Sequence, residues 1–106
     1  MAKSALPLHG PIFAYVELSG PRTSRVIAMA LDAGAVITII PIETALAIGY
    51  DPARSSARLE LVTASDIEIV PTITVARVRC LGHTVEQLHV ACHDLPAESP
   101  VKGLLG

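Results

Sequence analysis

The chain has 106 residues, of which 51% are hydrophobic and 17% are charged. Domains usually contain about 100 to 150 residues, so this length predicts a single domain and excludes a second. The net charge of −2, without a cluster of Arg or Lys, excludes nucleic acid as an expected partner. Two cysteines, Cys80 and Cys92, are too few for a disulfide scaffold.

Targeting and membrane segments are not expected either. Residues 1–10 contain no apolar stretch of the kind found in signal peptides. The most apolar run, residues 26–42, includes Asp32, Gly34 and Pro41 and is shorter than the roughly 18 to 20 residues that a membrane span requires. We therefore expect no membrane segment in this chain and, by default, a cytoplasmic location.

Strand-forming runs and turn residues alternate through the first half of the chain. Apolar residues on either side of a Ser-Gly-Pro turn at 19–21 predict a β-hairpin, and Pro41 and Gly49 are typical of the start and the end of a helix. Residues 50–57 have no periodicity and predict an exposed connection. The predicted elements are strands over 12–18, 25–31 and 36–40 and a helix of about two turns over 41–49.

The second half of the chain predicts another hairpin and a further strand. Residues 58–61 and 67–69 alternate apolar and charged side chains with a period of two, as in a hairpin that is solvated on one face. The second arm continues to a turn at 81–83, and another strand follows over 85–90. Pro71 lacks an N–H group and is tolerated in a strand only at an edge or a bulge.

Asp32 is the most informative residue because it interrupts an apolar run. Burying a carboxylate without partners costs several kcal/mol, so a position of this kind needs an explanation. One explanation is structural, because an Asp at the end of a strand or in a turn commonly accepts backbone N–H bonds. The other explanation is functional and depends on the residues around it.

Asp32 belongs to a pattern that also includes the end of the chain. Leu31-Asp32 is followed by Ala33-Gly34-Ala35 and a predicted strand, and the chain ends in Gly103-Leu104-Leu105-Gly106. In order and spacing, these parts resemble the retropepsin-like aspartic peptidases, which have a hydrophobic residue, Asp, Thr or Ser, Gly and Ala, then a flap hairpin and a terminal hydrophobic-Gly motif. The resemblance covers nearly the whole chain.

The resemblance implies an all-β fold, a closed barrel-like protomer with a flap hairpin and one short helix, as a single domain over residues 1–106. Relatives usually continue past the terminal motif, so truncation at the C-terminus is an alternative to a complete domain. The implied function is that of an aspartic endopeptidase that cuts a peptide or protein substrate as a homodimer, without a metal or other cofactor. Each protomer supplies one Asp, and the pair shares a proton and activates a water.

The resemblance also assigns roles to residues. Asp32 is catalytic, and Ala33 departs from the Thr or Ser of the family, whose hydroxyl bonds across the dimer. The alternative function is therefore a catalytically impaired module for peptide binding or dimerisation. The remaining assignments are an active-site loop of Ala33, Gly34 and Ala35, a substrate-covering flap tip of Val62, Thr63, Ala64, Ser65 and Asp66, and the terminal motif of Gly103, Leu104, Leu105 and Gly106.

A metal site is a weaker interpretation of the sequence. His89, Cys92 and His93 are close together, but zinc needs four converging ligands, or three and a water. In a strand, His89 and His93 share one face and Cys92 points to the other. We therefore expect no metal here.

Nucleophilic sites are also weaker interpretations. No flanking motif would activate Cys80 or Cys92 for attack together with His83. Ser65-Asp66 with His83 lacks the strained turn that exposes a hydrolytic serine. A structural β-domain unrelated to the family is the third alternative.

Overall fold

The structure is a computed structural model that describes residues 12–32, 37–62 and 66–106. This part of the chain contains seven strands, one α-helix and one 3₁₀ turn. In chain order these are β1 (Ile12–Ser19), β2 (Ser24–Leu31), β3 (Thr38–Ile40), α1 (Ile42–Ile48), the 3₁₀ turn (Pro52–Arg54), β4 (Arg58–Val62), β5 (Ile67–Cys80), β6 (His83–Cys92) and β7 (Gly103–Leu105).

Six of the strands form a closed barrel. Neighbouring strands follow the order β1-β2-β7-β3-β6-β5, and β5 pairs again with β1 to close the sheet. Most pairs are antiparallel, but β7 runs parallel to β2 and β3 runs parallel to β6. The strand β4 pairs with the first part of β5 and forms a hairpin outside the barrel. The predicted all-β, closed, barrel-like fold is confirmed.

The barrel interior is aliphatic. Its main cluster of buried residues consists of Val16, Leu18, Met29, Ile40, Ala45, Ile48, Ile73, Val75, Val78, Val90 and Cys92. A second cluster lies between the hairpin and the outer side of the barrel, where Leu59 and Leu61 pack against Ile39, Val70 and Ala91. Because β3 and the end of β6 are covered on both faces, their residues are buried in continuous runs rather than in alternation.

The helix follows its predicted boundaries. Pro41 precedes the first turn in an extended conformation with φ −65°, and Gly49 ends the helix with φ 112°, a left-handed conformation that suits glycine. The Gly49 N–H bonds to Leu46 O at 3.1 Å. The strand before the helix is shorter than predicted, since β3 covers Thr38–Ile40 and Val36 lies outside the described residues.

The prediction of an exposed, irregular connection over residues 50–57 is partly wrong. Pro52–Arg54 forms a 3₁₀ turn, and the Asp51 side chain accepts a hydrogen bond from the Ala53 N–H at 3.1 Å. Pro52 is buried, and Tyr50 packs against the main cluster. The turn is local, but Tyr50 contacts distant parts of the chain, which no local periodicity predicts.

The hairpin of β4 and β5 has the predicted arms but an unexpected distribution of side chains. Leu59 and Leu61 are covered, as the alternation suggests, whereas Ile67 and Ile69 are exposed and Glu68 lies opposite Leu61. The cause is the register of the hairpin, which sets the face of each residue on β5 by its partner on β4.

Pro71 lies where β5 exchanges one neighbour for another. It is the last residue of β5 that pairs with β4, and pairing with β6 begins at Thr72. A residue without an N–H group is tolerated at such a changeover, in agreement with the requirement for an edge or a bulge.

Candidate active site

Asp32 lies directly after β2 and is exposed in the protomer. Its backbone N–H donates a hydrogen bond to Leu105 O at 3.0 Å. The residue therefore ends the apolar strand rather than being buried within it. Because the residue is exposed, its carboxylate does not carry the cost of burial.

The terminal motif lies beside Asp32. Strand β7 runs between β2 and β3, with Leu105 opposite Leu31 and Leu104 opposite both Ala30 and Ile39. The Gly106 N–H donates to the Thr38 hydroxyl at 3.2 Å. The two chain segments that the sequence pattern links are thus neighbours in one sheet.

Gly103 permits the close approach of β7 to β3. A Cβ atom at this position would overlap the Ile39 carbonyl oxygen and lie 3.0 Å from Met29 Cε. The position therefore requires glycine for space.

Several predicted site residues lie outside the described part of the chain. These are Ala33, Gly34 and Ala35 of the active-site loop and Thr63, Ala64 and Ser65 of the flap tip. Val62 ends β4 with 76% of its surface exposed, and Asp66 precedes β5, where its Oδ1 accepts a hydrogen bond from the Ile67 N–H at 2.7 Å. The roles of all these residues stay predictions.

An open groove of about 420 Å³ adjoins Asp32. Its walls include Phe13 from β1, Leu104 from β7 and Pro100 from the segment before β7. The groove is mostly apolar and carries a carboxylate at one side.

The cysteine and histidine side chains do not converge. Cys92 lies in the main cluster, and burial raises the pKa of its thiol to about 11, which keeps the sulfur protonated and poorly nucleophilic. His89 Nδ1 lies 3.1 Å from the Thr74 hydroxyl, and His93 Nε2 lies 3.9 Å from Glu68 Oε2. Across residues 12–32, 37–62 and 66–106, no three His, Cys, Asp or Glu side chains are grouped to hold a metal ion.

The contacts of two polar residues were not identified from the sequence. Thr38 is 3% exposed, and its hydroxyl accepts the hydrogen bond from Gly106. Its position among isoleucines was a usable signal, because a buried hydroxyl needs a partner. Glu68 gave no such signal, because its side chain reaches His93 only through the register of the hairpin.

No helix among the described residues is long and apolar enough to cross a bilayer.

The comparisons with known proteins identify the family. The family model described as aspartyl protease matches residues 14–106. A crystal structure of a retropepsin-like aspartic protease from Rickettsia conorii is similar to this chain with a TM-score of 0.67 and 18% sequence identity, covering 92% of this chain and 68% of that one. No curated protein matches the chain significantly. The chain belongs to the aspartyl protease family and has a retropepsin-like fold.

Proposed function

We propose that this protein is an aspartic endopeptidase that acts as a homodimer, in which each protomer supplies Asp32. The observation that carries the proposal is the position of Asp32, whose N–H bonds to Leu105 O where β2 and β7 end side by side. This bond holds the Asp32 backbone at a strand end beside the terminal motif, and the residue is exposed in the protomer.

The chemistry requires two carboxylates with different protonation states. When two Asp32 side chains lie close together they cannot both ionise easily, so the pair holds one proton. The ionised carboxylate takes a proton from a water as the water oxygen bonds to the peptide carbonyl carbon. The C–N bond then breaks as the protonated carboxylate donates a proton to the leaving nitrogen.

The hairpin of β4 and β5 is the part of the chain that would cover an extended substrate. In this proposal residues 62–66 form its tip, and the substrate backbone pairs with the hairpin while alternate side chains enter apolar pockets. The aliphatic face of Leu59 and Leu61 supports the hairpin from below. Because the groove beside Asp32 is mostly apolar, we expect peptides with apolar side chains near the scissile bond to be preferred.

The first test is cleavage of an unfolded protein between about pH 4 and pH 7, where a shared-proton pair gives a bell-shaped profile. We expect Asp32→Asn to reduce the rate on the order of 10²- to 10⁴-fold, because the pair then has no base. The matched control is Glu86→Gln, which removes an exposed carboxylate on β6 that contacts Arg77 at 3.8 Å. Unchanged cleavage by Asp32→Asn would refute the assignment.

The homodimer is tested by mixing the two proteins. If one active site needs an Asp32 from each protomer, dimers with one Asn are inactive. At constant total protein concentration, activity should then fall with the square of the wild-type fraction as Asp32→Asn protein replaces wild-type protein and the protomers exchange. A linear decrease would show that each protomer is active alone.

A second function is favoured by Ala33, which lacks the hydroxyl of the family's Thr or Ser. The same fold would then bind peptides or dimerise without catalysis. Saturable binding of an unfolded polypeptide that stays intact, with equal affinity in Asp32→Asn protein, would support this function over the first.

A further inference from the structure

At the base of the hairpin, β5 exchanges β4 for β6 as its pairing partner, and we call this point the fork. From Thr72 onward β5 pairs with β6, whereas before that point it pairs with β4. The root of the fork is fixed, because the Thr72 N–H bonds to Ala57 O at 3.0 Å and the Ser55 hydroxyl bonds to Thr72 O at 2.6 Å. A hinge for movement of the hairpin relative to the barrel would therefore lie next to Pro71 and Thr72.

One pair of charged groups spans the opening of this fork. Glu68 lies on the hairpin, opposite Leu61, and its Oε2 is 3.9 Å from His93 Nε2, just past the end of β6. The His93 backbone is fixed to the barrel, since its N–H bonds to Ile40 O at 2.9 Å. The side chains of His93 and Glu68 are 24% and 48% exposed.

The other charged groups near His93 are directed elsewhere. Asp94 Oδ1 accepts a hydrogen bond from the Ile42 N–H at 3.1 Å, at the start of α1. On β4, Arg58 and Glu60 are exposed on the face opposite to that of Leu61, and β3 has no titratable side chain. Just before β5, Asp66 Oδ1 accepts a hydrogen bond from the Ile67 N–H at 2.7 Å. Glu68 is the carboxylate whose contact with the His93 imidazole joins the hairpin to the barrel.

We propose that Glu68 and His93 form a pH-dependent ionic contact, called the tie below, that positions the hairpin against the barrel for substrate binding. The inference rests on the proposed function, in which the hairpin covers the substrate. Histidine changes its charge between about pH 5 and pH 8, so the contact is an ion pair in mild acid and weakens as the imidazole loses its proton. Both residues are positioning residues, because they act through the hairpin and not on the reacting atoms.

The size of the effect follows from the exposure of the pair. Partly exposed ion pairs are screened by solvent, so we expect a change of about two- to fivefold in substrate affinity. Because the tie positions the hairpin and leaves Asp32 unaltered, we expect KM to change and kcat to stay the same.

The test measures the hairpin directly, in Asp32→Asn protein that cannot digest itself. Relaxation-dispersion NMR of the Leu61 and Glu68 amides reports exchange between hairpin positions on the microsecond to millisecond timescale. We expect exchange to increase from about pH 5 to about pH 8. His93→Gln and Glu68→Gln should show the high-pH behaviour at both pH values, whereas His93→Lys keeps a positive charge and should stay tied at both.

The matched control is His89→Gln, which removes an exposed histidine from β6 whose partner is Thr74 and not the hairpin. It should keep the pH response of the parent protein. In protein with Asp32 intact, KM for a fluorescently labelled casein should show the same order of variants.

Equal hairpin exchange at both pH values, or His93→Lys behaving like His93→Gln, would overturn the tie. Because the NMR measurement needs no turnover, it gives an answer even if the protein proves not to be a peptidase. Absence of cleavage with a normal pH response would refute the proposed function alone.

Discussion

Tyr50 shows how one side chain completes a sheet. The pairing of β5 with β6 is interrupted between Val75–Leu88 and Arg77–Glu86, and the Ala76 N–H in the gap donates to the Tyr50 hydroxyl at 2.9 Å. The opposite residue, Gln87, has φ 56°, a left-handed conformation that few residues adopt. Tyr50 thus supplies from a distant loop the acceptor that β6 does not provide.

We predict that Tyr50→Phe lowers the free energy of unfolding by about 1 to 2 kcal/mol, because the Ala76 N–H loses its partner in a partly buried position. Urea denaturation monitored by circular dichroism measures this change. Tyr15→Phe is the matched control, since Tyr15 is 77% exposed, and it should alter stability by less than about 0.5 kcal/mol. Equal stability of both variants would show that water replaces the hydroxyl without loss.

At the scale of elements, the three residues of β7 join β2, which ends just before Asp32, to β3, the next strand in the chain. Gly103 is the tightest point, because an added Cβ would overlap the Ile39 carbonyl oxygen. We predict that Gly103→Ala lowers the free energy of unfolding by about 1 to 3 kcal/mol, as β3 and β7 must separate. It should also reduce cleavage, because Leu105 O holds the Asp32 backbone.

Lys102→Ala is the control for Gly103→Ala, since Lys102 is the exposed neighbour just before β7. Urea denaturation of both proteins separates the packing effect from a general intolerance of this segment. If both variants lose stability equally, the close approach of β7 to β3 is not the cause.

The elements differ in how well the sequence predicts them, and the reason is the range of the interactions. The first hairpin and α1 follow local signals, namely apolar runs around a turn and the Pro41 and Gly49 pair. The faces of Ile67 and Ile69 were not predictable, because they depend on the register of pairing with β4. The contact of Asp32 with Leu105 is non-local too. The resemblance linked the two motifs by their order and spacing in the chain, and their contact was not predicted.

At the scale of the whole molecule, the barrel brings together residues from opposite ends of the chain. The closed order of six strands leaves the hairpin as the element that projects from it, and the Asp32 backbone is anchored at the meeting of β2 and β7. In the proposed homodimer, the positions of the two Asp32 carboxylates depend on how tightly the two protomers associate around them. A hydroxyl at position 33 that forms a hydrogen bond across this interface would strengthen association and hold both carboxylates in place.

We therefore predict that Ala33→Thr tightens the dimer about tenfold or more, because a hydrogen bond in a buried interface contributes on the order of 1 to 2 kcal/mol. Sedimentation equilibrium measures the association, and cleavage of unfolded protein should increase with it. Ala33→Val is the matched control, since valine has the shape of threonine without the hydroxyl. If valine strengthens the dimer as much as threonine does, packing and not the hydrogen bond limits association.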